Sequence, residues 1–181
     1  MPVDVLRGVV TTTPRDADAT PTVRQAERGD LLEVFRIERR VFPQPWPFEA
    51  FERFLDEPGF MVAECAADGD SDGSRDWRRG ERAVAGYVVA DLTPNFGRDI
   101  GHVKDLAVDP EFQGRGVGTL LLNHALATVE AQGAHATKLE VREDNDPALA
   151  LYRRHGFEHR RTVPRYYADG TNALVLVRTR E

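Results

Sequence analysis

Apolar side chains recur at the spacing of an amphipathic helix in two segments of the N-terminal half. Residues 31–37 follow Asp30, a residue type that commonly caps helices, and residues 48–55 carry phenylalanines three and four positions apart. Prolines interrupt the pattern in residues 42–47, and a proline ring prevents a helix from continuing through it. We therefore predict two short helices joined by an extended turn.

Longer apolar runs without helical spacing are typical of strands. One pair, residues 60–66 and 83–91, flanks the polar stretch 68–81 and predicts a hairpin with an extended loop. Strands and helices alternate in the second half, which indicates an α/β organisation, and a strand–helix–strand unit implies a right-handed parallel crossover. The elements predicted there are strand 101–108, helix 114–132, strand 136–141, helix 146–155 and strands 157–163 and 173–177.

Size and composition indicate one domain. The 181 residues are 41% hydrophobic, enough for one core, and we assign residues 22–181 to a single domain preceded by a loosely held leader, residues 1–21. The net charge of -6 disfavours binding to nucleic acid through phosphate contacts. Cys65 is a lone cysteine and no Cys/His cluster has zinc spacing, so we expect neither a disulfide nor a metal site. Without a signal peptide or a long apolar run, the sequence predicts a cytoplasmic protein that does not bind membranes.

A glycine-rich turn stands between a predicted strand and a predicted helix. Within residues 113–119, Gly114, Gly116 and Gly118 alternate with other residues. The first N–H groups of a helix lack partners and lie at the positive end of its dipole, so such a turn favours an anion such as a pyrophosphate. Its spacing matches neither the dinucleotide fingerprint nor the P-loop. A tight turn that binds nothing is the alternative interpretation.

The motifs around this turn resemble those of the GNAT superfamily of acetyl-coenzyme A transferases. Gln113, Gly116 and Gly118 match the signature Gln/Arg-x-x-Gly-x-Gly/Ala. The flanking motifs at the family's spacing are Leu106-Ala107-Val108-Asp109-Pro110, Leu139-Glu140-Val141-Arg142, Asn145, Ala150-Leu151-Tyr152 and Gly156-Phe157. The resemblance implies a mixed α/β fold in which a central, mostly antiparallel twisted sheet contains a parallel strand–helix–strand core that binds acetyl-coenzyme A, with helices on its flanks.

Three segments are more closely similar to the ribosomal-protein-alanine (RimI-like) N-acetyltransferases and their archaeal N-terminal acetyltransferase relatives. They are Ile37-Glu38 with Phe42-Pro43-Gln44-Pro45-Trp46, the Leu139-Glu140-Val141-Arg142 motif, and Arg165-Tyr166-Tyr167-Ala168-Asp169-Gly170. Pro47 departs from the serine usual in that family, which changes the loop that we expect to influence substrate preference. The resemblance implies direct transfer of an acetyl group to the N-terminal amine of a protein, with a ribosomal protein among the candidate acceptors.

The resemblance also implies roles for single residues. Glu140 and His102 would take the proton of the acceptor amine, and Tyr152 would protonate the departing thiolate. A glutamate is a weak base for an amine, so Glu140 would need a raised pKa, an intervening water or the help of a histidine. The residues implied to bind the coenzyme are Leu106, Ala107, Val108, Gln113, Gly114, Arg115, Gly116, Val117, Gly118, Thr119, Asn145 and Tyr152. The residues implied to contact the acceptor are Phe42, Trp46, Tyr166 and Tyr167.

Each role has a structural alternative. Glu140 could belong to a surface ion pair, His102 to the fold alone, and Tyr152 to the core, while Phe42 and Trp46 could form a small aromatic core. Two other functions compete with protein acetylation. One is a GNAT enzyme that acetylates a small-molecule amine, and the other is a catalytically silent sensor of acyl-coenzyme A.

Overall fold

A seven-stranded mixed sheet lies at the centre of the computed structural model, which describes residues 20–66 and 82–180. In chain order the elements are β1 (Thr22–Gln25), α1 (Leu31–Val41), α2 (Phe48–Glu52), β2 (Phe60–Ala66), β3 (Arg82–Thr93), β4 (Ile100–Val108), α3 (Val117–Ala131), β5 (Ala136–Arg142), α4 (Asp146–Arg154), β6 (Glu158–Val163) and β7 (Ala173–Thr179). The strand order is β1-β2-β3-β4-β5-β7-β6. β4 and β5 run parallel, and the other neighbouring strands run antiparallel. The predicted mixed α/β fold is therefore confirmed.

The predicted elements are present with small shifts at their ends. Helix α3 begins at Val117 and not at residue 114, because Gly114 and Gly116 have φ angles of 76° and 81° that belong to a turn. β2 and β3 pair antiparallel as the hairpin pattern predicts. The loop predicted between them, and residues 1–19 of the predicted leader, lie outside the described residues.

Helices cover both faces of the sheet and bury two apolar layers. Helix α3 packs on one face, where its side chains Leu122, Ala125 and Val129 are buried and Gly118 is half-buried. Helices α1 and α2 cover the other face through a second cluster, whose fully buried members include Val34, Ile37, Phe51 and Tyr87. The fold thus separates the face that carries α3 from the face that carries α1 and α2.

The parallel pair β4–β5 separates partway along its length. Its pairing runs from Ile100 opposite Ala136 to Val103 opposite Leu139 and ends there. A bulge follows at once in β4, since Ala90 of β3 lies opposite Val103 while Val89 lies opposite Asp105. Beyond this point the two strands leave an opening between them.

Candidate active site

A cavity of about 1100 Å³ lies at the opening between β4 and β5. Of the residues predicted to form the site, every one except Arg115 lines it: Phe42, Trp46, His102, Leu106, Ala107, Val108, Gln113, Gly114, Gly116, Val117, Gly118, Thr119, Glu140, Asn145, Tyr152, Tyr166 and Tyr167. The Arg115 guanidinium lies instead over the ring of Phe112, 5.4 Å from its centroid. One cavity therefore joins the predicted coenzyme, catalytic and acceptor residues.

The glycine turn forms one end of this cavity. Gly116 is the N-cap of α3, and no side chain caps the helix there, so its first N–H groups keep their capacity to donate. Gln113 Nε2 donates to the Val108 carbonyl at 3.0 Å and fastens the turn to the end of β4. A Cβ atom built on Gly114 or Gly116 would meet no protein atom within 4 Å. The turn is thus open to a bulky anion.

His102 and Glu140 form a hydrogen-bonded pair on the sheet face that carries α1 and α2. The Nε2 atom of His102 lies 2.6 Å from Oε2 of Glu140, and the side chains are 17% and 21% exposed. They meet because His102 lies opposite Lys138 in the parallel register, two residues from Glu140. The Lys138 ammonium lies 3.8 Å from the other carboxylate oxygen. Glu140 does belong to an ion pair, as its structural alternative held, but that pair faces the cavity.

Direct base catalysis by Glu140 requires a raised pKa, but the pKa of Glu140 is lowered. The hydrogen bond from His102 holds the pKa of Glu140 below its usual value, and burial opposes this shift only in part. Glu140 is therefore ionised at physiological pH. Of the three ways considered for making it an effective base, the raised pKa is not found, while a histidine does lie within hydrogen-bonding distance.

Tyr152 reaches the cavity from α4. It is 7% exposed, and its ring packs against Phe157 with 5.8 Å between centroids, so it also belongs to the core as the structural alternative predicts. Within residues 20–66 and 82–180 its hydroxyl makes no hydrogen bond. Burial raises the pKa of Tyr152 above its usual value. The phenol is neutral at physiological pH and remains a hydrogen-bond donor.

Asn145 closes the opening on the side of α4. Its side-chain oxygen accepts from the Ala148 N–H at 3.2 Å and caps α4, while the residue also lines the cavity. Asn145 therefore caps α4, and its contact to the coenzyme stays a prediction.

Two loops meet over the end of the cavity that is predicted to take the acceptor. In the loop between α1 and α2, the Trp46 ring packs on Phe51 and Phe54 at 5.6 and 6.0 Å, so it forms the aromatic core that its alternative predicted and also lines the cavity. Gln44 Oε1 of that loop accepts from the Ala168 N–H of the β6–β7 loop at 3.4 Å. The two loops therefore enclose this end of the cavity.

Arg142 holds the β6–β7 loop in place. Its Nη2 atom donates to Asp169 at 2.8 Å and to Thr171 at 2.9 Å, and its guanidinium lies 4.8 Å from the centroid of the Tyr167 ring. Tyr166 and Tyr167 contact each other edge to face at 5.1 Å, and Tyr166 is 54% exposed. The double tyrosine is thus fastened to the end of β5, next to Glu140.

A buried carboxyl cluster under the cavity was missed by the sequence analysis. The Tyr87 hydroxyl lies 2.5 Å from Oε2 of Glu38 and 2.9 Å from Oδ2 of Asp105, and the Trp46 N–H donates to Oε1 of Glu38 at 2.6 Å. Glu38 stands on the apolar stripe of α1 that also carries Leu31, and this position was the available signal. Burial raises the pKa of Glu38, and burial together with the charge of Glu38 raises the pKa of Asp105 well above its usual range.

Comparison with known proteins identifies the family. The sequence model of the acetyltransferase (GNAT) family matches residues 31–157. The chain belongs to the GNAT acetyltransferase family. This confirms the resemblance inferred from the glycine turn and its flanking motifs, and with it the assignment as an N-acetyltransferase.

Individual relatives extend the match over most of the chain. This chain is 35% identical over 166 residues to the N-alpha-acetyltransferase RimI of Mycobacterium tuberculosis, and the alignment covers 90% of this chain and 95% of the relative. It is 30% identical over 165 residues to an N-alpha-acetyltransferase of Sulfurisphaera tokodaii, with 85% and 90% covered. The solved structure of the ribosomal-protein-S18-alanine N-acetyltransferase from Escherichia coli has a TM-score of 0.68 at 25% identity and covers 88% of this chain and 94% of its own. The RimI-like similarity is therefore confirmed.

The described residues contain neither a membrane-spanning helix nor a group of metal ligands. In that part of the chain, no helix is long and apolar enough to cross a membrane. Within the same ranges, no three His, Cys, Asp or Glu side chains are grouped so that they could hold a metal ion.

Proposed function

We propose that this GNAT enzyme transfers the acetyl group of acetyl-coenzyme A to the N-terminal α-amine of a protein or peptide. The observation that carries the proposal is the continuity of the cavity, which runs from the glycine turn past His102, Glu140 and Tyr152 to the two loops that meet through Gln44. The sequence relatives named above are N-alpha-acetyltransferases, and the Escherichia coli enzyme is named for the alanine of ribosomal protein S18. A ribosomal protein is accordingly a candidate acceptor, and a cytoplasmic location belongs to the same proposal.

The coenzyme is proposed to bind along β4 and to end at the glycine turn. The N–H groups at the start of α3 would hold its pyrophosphate, since they lack a side-chain cap and lie at the positive end of the helix dipole. After Val103, β4 no longer pairs with β5, so the backbone groups of residues 106–108 that face the opening can bind the pantetheine amides and the thioester oxygen. The apolar side chains of these residues only pack.

His102 and Glu140 are proposed to remove the proton of the acceptor as one unit. An α-ammonium with a pKa near ~8 must lose a proton before its nitrogen can attack, and an imidazole is a stronger base than a carboxylate and so is better matched to that task. With Nε2 donating to Glu140, Nδ1 of His102 is the atom that accepts the proton. The negative charge of Glu140 then stabilises the imidazolium that forms.

Tyr152 is proposed to donate a hydrogen bond to the sulfur that leaves. Its raised pKa makes complete transfer of its proton to a thiolate unfavourable, since an ordinary thiol has a pKa near ~8.5. A strong hydrogen bond to the developing thiolate does not require that transfer. Tyr152 therefore stabilises the leaving group while it stays protonated.

A peptide library tests the proposal. The protein is incubated with acetyl-coenzyme A and peptides varied at their first three residues, together with a panel of small primary amines, and mass mapping locates the acetyl group. We expect acetylation at peptide N-termini that is strongly reduced in Glu140→Gln and kept in Glu111→Gln, a carboxylate exchange outside the cavity lining. Acetylation confined to small amines would replace the proposal with the small-molecule function, and coenzyme binding without any acetylation would replace it with the sensor.

A further inference from the structure

The carboxyl cluster formed by Glu38, Tyr87 and Asp105 has no role in the reaction described so far. Its members come from three elements, α1, β3 and β4, and converge on the Tyr87 hydroxyl. Glu38 is 1% exposed and Tyr87 is fully buried, yet Glu38 and Asp105 line the same cavity as His102 and Glu140. The cluster therefore lies beneath the site where the acceptor amine must arrive.

Counting hydrogens fixes the charge of this cluster. A phenol has one hydrogen to donate, but the Tyr87 hydroxyl lies within hydrogen-bonding distance of two carboxyl oxygens. The second contact requires a proton on one of the carboxyl groups. Asp105 holds that proton, because the Trp46 N–H and the shorter contact of the Tyr87 hydroxyl both go to Glu38 and favour its ionised form, while burial and the neighbouring Glu38 act against ionisation of Asp105. The cluster consequently carries a single negative charge, located on Glu38.

Within residues 20–66 and 82–180, no cationic side chain neutralises this charge. Lys104 pairs with Asp91, while His102 and Lys138 pair with Glu140. Among the residues that the structure describes, no Lys, Arg or His forms an ion pair with Glu38 or Asp105. A buried charge is costly unless it is paired. The cavity above the cluster is thus prepared for a positively charged ligand.

The Glu38 carboxylate also retains room for such a ligand. Oε1 accepts from the Trp46 N–H and Oε2 from the Tyr87 hydroxyl. Each carboxylate oxygen has two lone-pair sites, so even with its contact to the Asp105 carboxyl the Glu38 carboxylate can accept a further hydrogen bond. Because Trp46 belongs to the α1–α2 loop and Tyr87 to the sheet, these bonds fix the carboxylate between the acceptor end of the cavity and β4.

We propose that Glu38, held by Tyr87 and Asp105, binds the protonated amino group of the acceptor before its proton passes to His102. This deepens the proposed function and rests on it for the identification of the cation as an α-ammonium. At physiological pH most α-amino groups are still protonated, so the enzyme must first capture the cation. The proton that leaves the ammonium goes to His102 Nδ1, and the nitrogen lone pair that it frees attacks the thioester. Glu38 is a binding residue, and Tyr87 and Asp105 are positioning residues.

A matched pair of probes tests the inference. Calorimetry on protein saturated with coenzyme A compares an alanyl tripeptide amide with the propionyl analogue, which lacks only the α-amino group. We expect the alanyl peptide to bind roughly ten- to a hundredfold more tightly, the usual effect of hydrogen bonds to a charged group. Glu38→Gln should abolish this preference and leave binding of the propionyl analogue within about twofold, because the amide oxygen can still accept from the Trp46 N–H and the amide NH2 can donate to the Tyr87 hydroxyl.

Two further variants separate a specific site from general electrostatics. Asp144→Asn removes a negative charge from the same cavity and should retain the preference. Asp105→Asn replaces a neutral acid with a neutral amide, so it should lose less of the preference than Glu38→Gln does. If the wild type binds both probes equally, or if Glu38→Gln keeps the full preference, the inference is wrong.

Infrared spectroscopy on the wild type covers the case in which Glu38→Gln does not fold. The alanyl peptide should shift the carboxylate bands of the protein and the propionyl analogue should not, whereas identical spectra with both probes would overturn the inference. The peptide library judges the proposed function separately. Acetylated peptides without a Glu38-dependent preference would support the proposed function and contradict the ammonium site. A Glu38-dependent preference without any acetylated peptide would support the ammonium site and contradict the proposed function.

Discussion

Replacement of Gly116 by alanine offers a sharp test of the coenzyme site, because the chain contains a matched control for it. Gly116 precedes α3 with φ at 81°, and Gly133 follows the same helix with φ at 105°. A Cβ atom on either residue would meet no protein atom within 4 Å. The 15 residues of α3 place the two glycines roughly 22 Å or more apart, and only Gly116 of the two lines the cavity.

Both changes should cost similar stability, but they should differ in their effect on the coenzyme. A residue other than glycine in the left-handed region costs about 1–2 kcal/mol, which lowers the melting temperature of a domain of this size by roughly 2–8 °C. At Gly116 the new methyl group also stands where a phosphate would approach the N–H groups of α3. The loss of one or two charge-assisted hydrogen bonds weakens coenzyme binding by about 10- to 100-fold.

The assay is a calorimetric titration of each variant with coenzyme A, next to thermal unfolding of the free proteins. We expect Gly133→Ala to bind coenzyme A as the wild type does, and Gly116→Ala to bind it at least about tenfold more weakly. Equal affinities in two folded variants would refute the reasoning and move the pyrophosphate away from this turn.

The remaining predictions concern the catalytic groups, the acceptor loop and the cluster. Glu140→Gln and His102→Ala should each lower kcat by ~10²- to 10⁴-fold near neutral pH, with partial recovery at higher pH. Because the two residues act as a hydrogen-bonded pair, the double variant should lose more activity than either single variant but less than the product of the two single losses. Full activity of all three variants across about pH 6 to 9 would contradict this. Tyr152→Phe should show a loss of kcat that alkaline pH does not restore and that shrinks with a thioester of a more acidic thiol; equal losses with both thioesters would exclude a role at the sulfur. Tyr167→Ala should raise the KM for peptide more than the Kd for coenzyme A, and the reverse pattern would place this loop on the coenzyme side. In urea unfolding, Asp105→Asn should gain stability relative to wild type as the pH rises from about 4 to 7. The folded wild type keeps a proton on Asp105 that the unfolded chain releases above a pKa near ~3.9, so the wild type loses stability over this range and the variant does not. A difference in unfolding free energy between the two proteins that does not change with pH would mean that Asp105 is ionised.

The coenzyme end of the site follows from the sequence more completely than the acceptor end does. Gln113 and the three alternating glycines lie within one segment of six residues, so their spacing alone describes the turn and its relation to a helix N-terminus. His102 and Glu140 were predicted through family motifs, and their contact depends on the parallel register, which the strand–helix–strand pattern implies without fixing.

The carboxyl cluster shows what the pattern of residues could not supply. In a regular strand Asp105 would point away from His102, because side chains alternate between the two faces. The bulge after Val103 adds one residue and turns Asp105 to the face of His102 and Tyr87. Bulge positions depend on packing between strands, and the contact between Glu38 and Tyr87 joins residues 49 positions apart. Sequence spacing contains neither piece of information.

The short pairing between β4 and β5 means that the sheet is two smaller sheets joined by a narrow seam. Strands β1 to β4 form one and β5 to β7 the other, and four residue pairs connect them, from Ile100 and Ala136 to Val103 and Leu139. A pantetheine chain lying along β4 would act as an additional strand and lengthen that seam. A ligand that binds the native state alone adds about 2.7 kcal/mol of stability at a hundred times its dissociation constant. The cosubstrate would therefore serve as a removable part of the protein's own architecture, and each turnover would briefly leave the two half-sheets with their shortest connection.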